Sequence, residues 1–184
     1  MASFQSNIPL LFLLSLMAAV ASASGGEFKL GKENSTHLHF YMHDILSQPN
    51  PTAFRVVKGP LKLPALPNFN FGDIFVIDDP LTEGPNSTSK LVGRAQGSYV
   101  FASQGSDGAL LLTTNLVFKE GKYNGSTLSI LSRDSIFAPV RELPVVGGTG
   151  IFRLARGYAL LKTFSFNTTS GDAVLELDVY VMHH

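Results

Sequence analysis

Asp172-Ala173-Val174-Leu175-Glu176-Leu177-Asp178-Val179-Tyr180-Val181-Met182 alternates with a period of two. Ala173, Leu175, Leu177, Val179 and Val181 share one face, and Asp172, Glu176 and Asp178 lie on the other. Successive side chains of an extended chain point to opposite sides, so this is the pattern of a strand with one buried and one wetted face. Working outward, residues 108–118 repeat the pattern and gather Leu110, Leu112, Leu116 and Phe118. Residues 71–81, 92–102, 126–132 and 158–166 also read as strands, set apart by clusters of Gly, Pro, Asn or Asp. Gly105-Ser106-Asp107-Gly108 and Tyr123-Asn124-Gly125 supply turn chemistry between neighbouring strands.

No amphipathic helix of ten or more residues stands out after residue 36. About eight short strands in one domain predict an all-β fold, an antiparallel barrel whose closure leaves no open edge. A two-sheet sandwich is the alternative. Pro60, Pro64 and Pro67 make residues 59–70 a stiff, extended connection and a candidate rim or lid. The glycines of Gly147-Gly148-Thr149-Gly150 invite comparison with a dinucleotide loop. Residues 152–166 are aromatic and apolar, however, with no N-cap and no 3.6-residue period, so no helix N-terminus follows to meet a pyrophosphate. The glycines read instead as a softened bend between two strands.

Residues 8–20 form a run of 13 largely apolar residues, followed by Ala21-Ser22-Ala23, a small-x-small cleavage pattern. Residues 1–23 are therefore expected to be an export signal, too short for a membrane span of about 20 residues. Residues 24–36 read as a short extension, and residues 37–184 as one domain. Four N-x-S/T sequons, at Asn34, Asn86, Asn124 and Asn167, suggest glycosylated surface loops in a secreted chain. With no cysteine, stability has to come from a closed core or from oligomerisation rather than from disulfides. Charges balance at 14 against 14 with no basic run, so nothing points to nucleic acid or an anionic membrane surface.

Some polar residues break the strand pattern. In Leu38-His39-Phe40-Tyr41-Met42-His43-Asp44-Ile45, extended geometry puts Asp44 on the apolar face of Leu38, Phe40 and Met42. A carboxyl there must be paired, protonated or facing a cavity, unless it ends the strand as a solvated turn residue. Asp134 follows an apolar strand with Arg141 seven residues on, and by itself reads as half of a surface ion pair. Asp78 and Asp79 are expected to end their strand, because Pro80 cannot continue a ladder. Tyr99 and Phe101, on the next strand, are candidates to line a barrel interior. His37, His39 and His43 share a face, but a metal site on them needs a further ligand from a neighbouring strand. The only other histidines, His183 and His184, are expected to fray, so no metal is assigned. A hydrolase is not supported: there is no G-x-S-x-G and no cysteine nucleophile.

Taken together, five blocks in order resemble the plant dirigent family. They are His39-Phe40-Tyr41-Met42-His43-Asp44-Ile45; Phe71-Gly72-Asp73 with Asp78-Asp79-Pro80-Leu81-Thr82; Val92-Gly93-Arg94-Ala95-Gln96-Gly97; Arg141 through Phe152 with Ala155-Arg156-Gly157-Tyr158-Ala159; and Val179-Tyr180-Val181. The resemblance implies an eight-stranded antiparallel barrel of the allene oxide cyclase type, a homotrimer, secreted to the apoplast and cell wall. It implies a pocket lined by aromatics and a few acids, with Asp44, Asp134 and Arg141 as its reactive groups and Tyr99 as a looser match to a pocket tyrosine; beside them Phe40, Met42 and Phe101 are read from the strand pattern as substrate-binding residues. The implied partners are phenoxy radicals, made from coniferyl alcohol or a similar phenol by a separate laccase or peroxidase and directed into one enantiomer of a lignan. No cofactor is implied.

The run Val140-Arg141-Glu142-Leu143-Pro144 and the following Ile151-Phe152-Arg153-Leu154-Ala155 depart from the lignan-forming branch. They look like a second branch that includes legume pterocarpan synthases, which dehydrate isoflavan-4-ols. Either chemistry asks for a carboxyl of raised pKa beside a quinone methide, a role for Asp44 or Asp134. Arg141 would orient a phenol oxygen or hold Asp134 ionised. If it pairs tightly with Asp134, that carboxyl becomes the weaker donor and Asp44 the better acid.

Overall fold

The computed structural model describes residues 29–184, and the export-signal reading of residues 1–23 lies outside them. Among them are eleven strands: β1 (Asn34–Asp44), β2 (Ala53–Val57), β3 (Leu61–Leu63), β4 (Leu66–Phe71), β5 (Ile74–Thr82), β6 (Leu91–Phe101), β7 (Ala109–Phe118), β8 (Thr127–Ser135), β9 (Arg141–Thr149), β10 (Arg156–Phe166) and β11 (Ala173–His183). Nine of them form one antiparallel sheet in the order β1-β11-β10-β9-β8-β7-β6-β5-β2, and all but β2 close into a barrel where Tyr41 and Met42 of β1 meet Thr82 and Leu81 of β5. The fold is thus the eight-stranded barrel and not the sandwich. The first three residues of β1 fall in the segment expected to be an extension.

Period-two patterning explains the interior. In β11, Leu177, Val179 and Val181 are buried, as the alternation requires. One end of the barrel is filled: Phe40, Leu116, Phe118, Leu128 and Phe152 pack there, with the Phe118 and Phe152 rings 5.4 Å apart. Those residues come from the middle of β1, the end of β7, the start of β8 and the turn after β9. The opposite end, where β1, β6, β8 and β10 finish, is hollow.

Several local readings need correction. Residues 71–81 are not one strand but β4 and β5, broken at Gly72, whose φ of 88° is a left-handed turn conformation. Asp78 and Asp79 do not end β5, which pairs with β6 through Pro80 to Leu81. Pro80 is tolerated for a topological reason. Asp78 N–H donates to Thr52 O on the far side from β6, and alternate residues point their N–H groups the same way. The N–H that Pro80 lacks therefore falls in the gap between β2, paired as far as Ile77, and β1, paired from Leu81.

The strand at 126–132 runs on to Ser135, which carries Asp134 inside. The proline-stiffened connection contains the β3–β4 hairpin. His183 is not frayed but buried at the end of β11, 3.0 Å from the Thr36 hydroxyl.

The glycine run closes β9 and turns the chain. Gly150, at φ 63°, begins a short 3-10 turn that drops Phe152 into the filled end. A Cβ on Gly148 would sit 2.6 Å from both the Phe152 and Thr127 carbonyl oxygens, so only glycine lets the two segments approach.

Candidate functional site

The hollow end encloses a cavity of about 360 Å³. Its wall is aromatic and aliphatic: Tyr99 and Phe101 from β6, Leu110 from β7, Phe166 from β10, Leu175 from β11. The β3–β4 hairpin contributes Leu66 and Phe69. That hairpin is pinned by Asp73, whose Oδ1 accepts from Gly59 N–H at 2.7 Å and Oδ2 from Asn70 N–H at 2.8 Å. Burial alone would raise the Asp73 pKa, but these hydrogen bonds, with Arg55 3.3 Å away, hold it below the usual carboxylate range. Arg55 also lies over the Phe75 ring, 5.4 Å from its centre. The residues read as a rim thus carry two wall side chains held firmly at the mouth.

Three charged residues project into this apolar space: Asp44 from the end of β1, Asp134 from the end of β8 and Arg141 from the start of β9. Asp44 is not a solvated turn residue. Burial pushes its carboxyl up to about 7, against a lowering hydrogen bond from Tyr99 and with a further push from the charge of Asp172. Its Oδ1 is buried with no hydrogen-bond partner. Burial likewise raises the Tyr99 hydroxyl, reinforced by Asp44 and Asp79.

Asp134 is not half of a surface pair. It and Arg141 are 5 % and 4 % exposed, and Arg141 Nε lies 3.0 Å from Asp134 Oδ1, an ion-pair distance without hydrogen-bond alignment. Arg141 Nη1 donates instead to Thr163 Oγ1 at 2.8 Å and to the Ile136 carbonyl at 3.1 Å. Pairing does not make Asp134 the stronger acid: burial outweighs the attraction of Arg141 and the carboxyl stays above its ordinary value. The cavity therefore holds two carboxyls inclined to keep a proton and one guanidinium. Arg133, the sequence neighbour, points outward to Asp107.

The structure does not bring Phe40 and Met42 to this cavity. Both are buried in the packed interior and neither lines the wall. Conversely, sequence reasoning missed Phe69, Thr163 and Asp79. Asp79 is fully buried, shares the inward face of β5 with Phe75, Ile77 and Leu81, and has its carboxyl pushed up to about 9 by burial and then by Asp44. The alternation of residues 75–81 carried that signal, and the proline after it concealed it.

The histidines lie elsewhere. His37 and His39 are on the outer wall, 2.9 Å from Asp178 and 3.0 Å from Glu176, while His43 is buried against the Thr82 hydroxyl at 2.7 Å. The neighbouring strand does offer ligand-type groups, since His39, Glu176 and Asp178 lie together there. They lie on the opposite face of the sheet from Leu175, the cavity residue next to Glu176 in β11.

A family model described as dirigent-like protein matches residues 35–182. The chain belongs to the dirigent family. Dirigent protein 21 of Arabidopsis thaliana is 51 % identical over 148 residues, covering 80 % of this chain and 77 % of that one. Pterocarpan synthase 1 of Glycyrrhiza echinata is 47 % identical over 175 residues, covering 94 % and 92 %. A solved structure of a pterocarpan synthase dirigent protein superposes with a TM-score of 0.78 at 46 % identity, over 85 % of this dirigent chain and 89 % of that one. Dirigent membership and the closed barrel therefore stand on both sequence and structure.

Proposed function

We propose that this protein is a dirigent auxiliary. It takes up phenoxy radicals, supplied from coniferyl alcohol or a related phenol by a separate laccase or peroxidase, and guides their coupling to one enantiomer. The observation that carries this reading is the aromatic-walled cavity with Asp44 on one strand end and the Asp134–Arg141 pair on two others. Flat phenolic rings suit the walls of Tyr99, Phe101 and Phe69. Coupling leaves a quinone methide, whose closure needs a proton delivered to its carbonyl oxygen while a hydroxyl, losing its own proton, adds to one face. Asp44 and Asp134 are placed to exchange those protons, and Arg141 to orient an oxygen. Holding the guest in one facial arrangement fixes the hand of the product.

The similarity to pterocarpan synthases and the raised proton affinity of Asp44 favour a second reading, a cofactor-free dehydratase. Asp44 would protonate the benzylic hydroxyl of an isoflavan-4-ol, and water would leave as the conjugated ring phenol gives up its proton, forming a quinone methide. A second phenol hydroxyl of the same molecule would then add; its proton and the one released earlier restore the ring phenol and the carboxyl. Two assays separate the readings. Coniferyl alcohol with a laccase should give enantiomeric excess only when this protein is added; an isoflavan-4-ol without oxidant should be converted only if the dehydratase reading holds. Racemic coupling and no dehydration would defeat both.

Export to the apoplast, a homotrimer and glycosylation complete the proposal. Asn86, Asn124 and Asn167 sit in exposed loops, whereas Asn34 opens β1. Val146, Tyr158, Phe164, Tyr180 and Met182 leave apolar surface on the outer wall that a trimer contact would cover.

A further inference from the structure

Asp79 is a fully buried carboxyl that this chemistry leaves unused. It does not line the cavity, yet it sits behind Asp44 for a reason written in the strand register. Tyr41 pairs with Thr82 and Met42 with Leu81. Carried two residues further along the same antiparallel register, Asp44 and Asp79 fall on the same inward face just beyond the last paired residues, close enough for the charge of Asp44 to act on Asp79. Here β2 wedges between the two strands, and Thr52, just before it, bridges them. The Thr52 hydroxyl accepts from Ile45 N–H at 3.1 Å and lies 3.1 Å from the His43 carbonyl and 2.6 Å from Asp79 Oδ1.

One hydroxyl hydrogen cannot serve two acceptors. If Asp79 were ionised, either the His43 carbonyl or a charged carboxylate oxygen would go without a donor. Asp79 Oδ2 is moreover buried with no partner, as is Asp44 Oδ1. A bare charged oxygen in such a place is far costlier than a neutral carbonyl. Both conflicts disappear when Asp79 carries a proton: it donates to Thr52, which donates to His43. The other charged or titratable groups near this fork are Asp78 on the same strand, His43 on β1, Arg94 and Tyr99 on β6, Arg55 on β2 beyond Tyr99, and Asp172 beyond Asp44. Arg94 is engaged on the outer side with Asp78, Arg55 with Asp73, and the His43 ring with the Thr82 hydroxyl, so among the described residues no cation pairs with either carboxyl.

We propose that Asp79 and Asp44 form a carboxyl pair that keeps one proton, held on Asp79 by the Thr52 fork, with Asp79 a positioning residue that stays neutral and leaves Asp44 free to release and recover a proton of its own. This rests on the reading of Asp44 as the proton donor for its use, but not for its existence. The test is infrared spectroscopy of the whole protein labelled with 13C-carboxyl aspartate, which reads protonated carboxyls directly and needs no substrate. At mildly alkaline pH the wild type should show the band of a protonated aspartic acid. Asp79→Asn should remove that band and leave the Asp44 titration little changed, because one neutral side chain replaces another. Product formation should in turn keep the wild-type pH profile, about tenfold weaker one pH unit above the Asp44 midpoint, where the acid form is about a tenth.

No protonated band in the wild type at that pH overturns the pair, whether or not any variant folds. A band that survives Asp79→Asn and vanishes in Asp44→Asn overturns it too, since the proton would then be Asp44's alone. The expected spectra combined with activity indifferent to Asp44→Asn would uphold the pair and defeat the proposed proton chemistry instead.

Discussion

Asp44→Asn should fold and lose product control or turnover by about 10²- to 10⁴-fold, the usual worth of a positioned proton donor. Asparagine keeps the shape of the carboxyl but has no proton to give. The substitution should not cost stability, and the sign follows from linkage. Asp44 binds its proton more tightly in the folded barrel than in the unfolded chain, so its contribution to stability is complete at low pH. It is lost as pH rises from the ordinary carboxylate range through about 7. Asn cannot ionise and escapes that loss. The melting temperature of Asp44→Asn should therefore match the wild type near pH 4 and exceed it above pH 7. A variant that is inactive and also less stable at every pH would indicate a structural role only.

The second large effect is on stability. Arg141→Met leaves Asp134 buried without its cation and should cost about 3–5 kcal/mol at neutral pH, read as a shift in the denaturation midpoint. With the guanidinium gone, the folded-state pKa of Asp134 rises further above its unfolded value, so the penalty should shrink as pH falls and the carboxyl protonates. Adding Asp134→Leu removes the orphaned group and should return most of the loss, because apolar side chains replace a buried ion pair at little cost. The double variant, refolded and stable, should still fail to impose one enantiomer, since the oxygen-orienting group is gone. Full activity in that stable double variant would remove Arg141 from the chemistry.

What the sequence made legible, and what it hid, has a physical pattern. Alternation in residues 172–182 and 108–118 predicted strands β11 and β7, because burial of one sheet face leaves a period-two trace. It also put Asp44 on an inward face. Alternation reports a face, though, and not a depth. Phe40 and Met42 share that face with Asp44, but the barrel is filled where they sit and hollow where Asp44 ends the strand. The Asp134–Arg141 pair joins two strands across a turn, so only the folded sheet reveals that it points inward. Pro80 hid Asp79, because a missing N–H normally marks a strand end. Here it falls where one neighbouring strand gives way to another. The hairpin carrying Phe69 left no alternation to read, being short and proline-rich.

The central claim is that an acid inside the aromatic cavity controls the outcome of a quinone methide. Its most direct measurement is the pH profile of enantiomeric excess from coniferyl alcohol coupling, taken with the oxidase dose adjusted to the same radical supply at every pH, because faster supply adds racemic background. Selectivity should be high in acid and fall through a single step near pH 7 as Asp44 loses its proton. Selectivity that stays constant across neutral pH, or that is lost already in the ordinary carboxylate range, would contradict it.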